Sequence, residues 1–136
     1  MLRKIAGVSV LIGTLVVAVN ADAACNRCEP IKNVNDSAIM TGSGKEPTNE
    51  QVASAIRQAG VGLGWQVRDA GPGKLVAVLY IRTHTAEVEI PYSTKSYSII
   101  YKSSVNLNEE GGAIHKNYNG WVTNFSQRIG AQLSVH

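Results

Sequence analysis

Cysteine is nearly absent from this chain: two in 136 residues, Cys25 and Cys28, and none after them. A fold stapled by disulfides spreads its cysteines, so this one must stand on its hydrophobic core. Aromatic residues make up 6% and charged residues 17%, and the net charge is only +3. The basic residues are dispersed rather than striped, which speaks against nucleic acid or an anionic membrane as partner. No apolar run reaches spanning length. The longest, Ile5 to Val19, has fifteen uncharged residues, too few for an ordinary membrane helix. Several chemistries lack their residues. Haem attachment needs histidine after the second cysteine, where Glu29 stands. Gly60-x-Gly62-x-Gly64 follows a helical pattern rather than a strand, the wrong context for a phosphate loop, and no serine nucleophile elbow is found. Neither a catalytic centre nor a cofactor is expected.

The first 28 residues carry an address. Arg3 and Lys4 precede the apolar run, and Ala21-Asp22-Ala23 offers small residues where a signal peptidase reads. Cleavage after Ala23 would leave a soluble exported chain beginning at Ala24-Cys25. The alternative is a lipoprotein with Cys25 lipidated. Ala23 and Ala24 suit that reading, but Asp22 puts a charge where an apolar residue belongs. The expected location is therefore the periplasm, with outer-membrane anchoring and membrane contact only if Cys25 carries a lipid.

Removal of residues 1–23 leaves one domain's worth of chain. Residues 24–46 read as a flexible tether, with Pro30 and the loop Thr41-Gly42-Ser43-Gly44, although Ile31, Val34, Ile39 and Met40 could dock a short strand. Residues 47–136 read as a single α+β domain. Thr48 and Gln51 form a capping-box pattern after Pro47, and Val52, Ala53, Ile56 and Ala59 share one helical face, which Gly60 and Gly62 end. Strand signals follow at Leu63–Val67, Leu75–Ile81, Thr85–Tyr92 and Tyr97–Lys102. Steps of three and four from Ile114 through Tyr118, Trp121, Val122, Phe125 and Ile129 to Leu133 predict a final helix. The expected architecture is a two-layer fold: helix, three- or four-stranded antiparallel meander, helix, with both helices on one sheet face.

Ile90-Pro91-Tyr92-Ser93 with Tyr97-Ser98-Ile99, and Ile114-His115-Lys116-Asn117-Tyr118-Asn119-Gly120-Trp121-Val122, resemble a family of small exported bacterial proteins, many of them lipoproteins. The resemblance covers most of Ile31 to Leu133. It implies export and, for Cys25, lipidation; it brings no activity, ligand or catalytic residue. More loosely, the element order is similar to that of exported assembly lipoproteins such as the partner of the lipopolysaccharide translocon, in architecture alone.

Three groups remain as candidate sites. Cys25-x-x-Cys28 could be a redox dithiol, yet no helix pattern follows it to lower a thiol pKa, so a local disulfide is the plainer reading. Zinc would need His84, His115 or His136 as well, at no recognised ligand spacing. Arg82, His84, Glu87 and Glu89 form a polar cluster that could do acid–base work, though Glu87 and Glu89 also fit the wet face of a strand. His115 reads as a cap or surface residue. Tyr92, Tyr97 and Tyr101 share a sheet face, either as core beneath the helices or as an exposed aromatic platform. The leading expectation is a non-enzymatic envelope module that binds or scaffolds another envelope protein or a glycan. A thiol-based or metal-linked accessory built on Cys25 and Cys28 is the alternative.

Overall fold

The structure, a computed structural model, describes residues 7, 9–15 and 25–136. The expected cleavage site and most of the export signal lie outside the described residues. No helix among the described residues is long and apolar enough to cross a membrane.

Helix α1 (Asn49–Gly62) begins where its cap dictates. The Thr48 hydroxyl accepts from the Gln51 amide, and the Gln51 side chain accepts from the Thr48 amide, at 3.1 and 3.0 Å. This reciprocal pair satisfies two of the four free amides of the first turn. Gly60 does not end the helix. It is buried inside it, and a Cβ there would lie 2.6 Å from Val67 Cγ2 and 3.0 Å from Phe125 Cζ. The left-handed residue that turns the chain is Gly64, at φ +91°.

Four antiparallel strands then form the expected meander: β3 (Trp65–Asp69), β4 (Lys74–Ile81), β5 (His84–Pro91) and β6 (Ser96–Val105). The last helix, α2 (Lys116–Leu133), buries Tyr118, Val122, Phe125, Ile129 and Leu133, the predicted stripe. Ile114 belongs instead to a short strand, β7 (Ala113–His115).

The expected tether is largely folded. Cys28–Pro30 forms β1 and Val34–Ala38 forms β2. β1 pairs antiparallel with β7, Cys28 opposite His115. β2 pairs with β6 and makes a fifth strand, so the main sheet runs β2-β6-β5-β4-β3. Asn119 secures the segment between them: its amide nitrogen donates to Pro30 O at 3.0 Å, and its oxygen accepts from the Lys32 amide at 2.9 Å.

Both helices cover one face of this sheet. Strand alternation sends Trp65, Leu75, Ala77, Leu79, Ala86, Val88, Ile90, Tyr97 and Ile99 into one core with α1 and α2. Trp65 and Phe125 stack there with centroids 5.1 Å apart. At roughly 1.5–3 kcal/mol per large apolar side chain, this layer is the main stabilising term. Among the described residues, the opposite face of the sheet carries no helix.

Candidate functional site

The sheet has two edges, and β3 is the open one. Its outward chemistry follows from the hairpins. β4 and β5 are joined by a two-residue turn, Arg82-Thr83, with Ile81 opposite His84. Such a turn makes its flanking residues a hydrogen-bonded pair, so Leu79, Ala77 and Leu75 bond toward β5. Val78 and Val76 then bond toward β3, to Gln66 and Arg68 respectively. The Ala70 amide donating to Lys74 O at 3.0 Å fits the same parity. It leaves the N–H and C=O groups of Trp65, Val67 and Asp69 pointing away from the sheet. Among the described residues, no loop or cap bonds to them.

The side chains around this edge differ on the two faces. On the helix side, Asp69 pairs with Arg57 of α1. Val61 lies one turn further along that flank and is 66% exposed. On the uncovered side, Gln66 and Arg68 stand at the rim of a shallow groove of about 440 Å³ that reaches over Val78 and Tyr80 to Glu87. Tyr80, on the same face, is 62% exposed.

Further across the uncovered face runs a ladder of charge. Arg68 meets Glu87 at 3.3 Å, Lys102 bridges Glu87 and Glu89 at 3.6 and 3.8 Å, and Lys74 meets Glu89 at 3.1 Å. Every carboxylate in it already has a cation. At its end an exposed apolar row continues through Tyr80 and Val105.

The polar cluster read from the sequence is not assembled. The alternation that places Glu87 and Glu89 on the uncovered face places His84 on the other. There His84 Nδ1 contacts Asn106 O at 2.6 Å, and its ring lies 6.5 Å from that of Trp121. Arg82 sits in the turn with φ 54°. Acid–base work by the four residues together would need all of them on one side.

The tyrosines face the helices, which corrects the exposed-platform reading. Tyr97 is buried, and its hydroxyl meets Ser126 Oγ at 2.6 Å. Tyr92 and Tyr101 are partly buried against the core. Tyr101 packs edge-on against Tyr118 at 5.5 Å. The Tyr118 hydroxyl has no hydrogen-bond partner among the described residues. Burial first, and Tyr101 second, push its pKa far above the ordinary tyrosine range. No sequence signal marked this orphan group.

Cys25 and Cys28 form a disulfide closing a turn, with the Cys28 amide donating to Cys25 O at 3.0 Å. A sulfur in that bond cannot also carry a thioether lipid, so pairing and lipidation are exclusive fates for Cys25. A strand rather than a helix follows Cys28, and Asn108 lies beside both sulfurs, its side-chain amide 3.8 Å from Cys25 Sγ and its carbonyl oxygen 3.9 Å from Cys28 Sγ. His115 caps α2, its Nδ1 accepting from the Asn117 amide at 3.2 Å. Among the described residues, no group of three histidines, cysteines or carboxylates is placed to hold a metal.

Sequence reading missed the edge itself. The Trp65-Gln66-Val67-Arg68 alternation was legible, but which strand ends the sheet depends on where β2 docks. Compared with known proteins, the chain matches no family model, no curated protein and no solved structure.

Proposed function

We propose that this chain is an exported, non-enzymatic envelope module that binds another envelope protein by accepting one of its extended segments as a sixth strand beside β3. One observation carries the reading: β3 is a regular edge with three outward-facing residues of unpaired backbone. Main-chain groups spaced for a ladder recruit a polypeptide rather than a glycan. The exported setting, in the periplasm, is supported by the basic start, the apolar run and the family resemblance, and the Cys25–Cys28 bond favours it over a lipid anchor on Cys25.

A photo-crosslinking side chain at Gln66 of the mature protein, irradiated in envelope extract, tests this. A discrete protein adduct is expected at Gln66 and none at Asn35 on the far edge. Adducts at Asn35 alone, or at neither position, would overturn the reading. The thiol-based alternative separates cleanly: Cys28→Ser leaves the Gln66 adduct intact under strand capture and abolishes function under thiol chemistry.

A further inference from the structure

The side chains flanking β3 also select what kind of strand can lie there. Resting on the strand-capture reading above, we infer that the partner is an antiparallel segment with an acidic residue opposite Arg68 followed by an apolar residue opposite Val67.

The register dictates this pattern. Neighbouring strands lie about 4.8 Å apart, and side chains alternate between faces. A residue opposite Arg68 therefore stands on the uncovered face beside the guanidinium. The Arg68 side chain is 62% exposed and, among the described residues, has Glu87 as its only ion-pair partner, at 3.3 Å. The adjoining cation, Lys102, already serves both Glu87 and Glu89. An incoming carboxylate thus meets a cation with donors to spare, while an incoming ammonium meets like charge.

The next residue of the segment falls on the helix side, opposite Val67. Val67 is partly buried against the core, and Val61 on the α1 flank is exposed. An apolar side chain there covers both. Written from its N-terminus, the segment reads acidic, then apolar.

A second copy of this chain does not fit the same edge. α1 lies beneath β3, with Gly60 against Val67 and Arg57 paired to Asp69. Pairing β3 with its own copy would bring two α1 helices to about one strand spacing, where packed helices need roughly 8–10 Å. A lone strand has no such layer beneath it.

The test uses the mature protein and a fluorescent peptide, Thr-Glu-Val-Thr-Thr-Tyr-Thr, read by anisotropy. A surface charge pair predicts a preference of roughly threefold over the same peptide with Lys for Glu. Arg68→Glu is expected to reverse that preference. Asp69→Pro, which removes an outward donor at the exposed end of the edge, is expected to abolish binding of both peptides. Val67→Pro repeats this at the centre, with circular dichroism to check folding. Binding lost in the proline variants but indifferent to charge at Arg68 would overturn the pattern and leave strand capture standing. Binding that survives both prolines would overturn strand capture as well. Dimerisation of the free protein that Asp69→Pro abolishes would overturn the peptide partner in favour of a second copy.

Discussion

The two edges of the main sheet have opposite designs. β2, equal to β3 in length, is bulged: its register shifts between Val34 and Ser37, and Asp36 takes a positive φ of 46°. Side chains replace part of its ladder, with Asn33 Oδ1 accepting from the Tyr101 amide and the Asp36 amide donating to Ser98 Oγ, both at 2.9 Å. Those are the devices by which natural sheets blunt an edge. β3 has no bulge in its five paired positions and no proline. Of the two edges of the main sheet, β3 is thus the one left regular and fixed from below.

That fixing from below can be broken first. Phe125 stacks on Trp65 and approaches Gly60, so it seats both β3 and α1. Phe125→Ala is expected to cost about 3–5 kcal/mol, measured by urea unfolding. It should loosen β3 more than β2, visible as faster amide exchange at Gln66 and Arg68. Equal loosening of both edges would contradict the idea that β3 is held through this contact.

A smaller effect comes from the same seat. Gly60→Ala adds a methyl where Val67 Cγ2 stands 2.6 Å away, so α1 and β3 must separate. A loss of roughly 1–3 kcal/mol is expected despite the better helix propensity of alanine. A gain in stability would show that β3 is not closely held there.

The smallest change sharpens the β2 side. Tyr118 packs on Tyr101 of β6, the strand to which β2 is paired, and its hydroxyl is buried without a partner. Tyr118→Phe is expected to leave stability unchanged or raise it by about 1 kcal/mol. Because the folded pKa is raised, the native chain loses stability as pH climbs past about 10, and the phenylalanine variant should lose less. A clear drop in stability would mean that the hydroxyl has a partner after all.

Much of this was readable from the chain. The Thr48/Gln51 box and the Tyr118-to-Leu133 stripe are local patterns, and both helices form where those patterns lie. The meander was legible because apolar runs and turns alternate over short distances. β1 was not, and β2 only as a short strand that Val34 could dock, since three or five largely polar residues carry almost no period. Their pairing joins Cys28 to His115 and Val34 to Ile99 across long stretches of sequence. The same gap hid which edge of the sheet stays open. Gly60 misled because a helical glycine looks alike whether it ends a helix or admits a ring. His84 and Glu87 misled because closeness in sequence places odd-spaced strand residues on opposite faces.

Amide hydrogen exchange of the mature protein, with and without the Thr-Glu-Val-Thr-Thr-Tyr-Thr peptide, tests the central claim most directly. Strand addition at β3 predicts that the outward amides of Trp65, Val67 and Asp69 slow on binding, while those of β2 keep their rates. Slowing confined to β2 or α2, with Val67 unchanged, would contradict it.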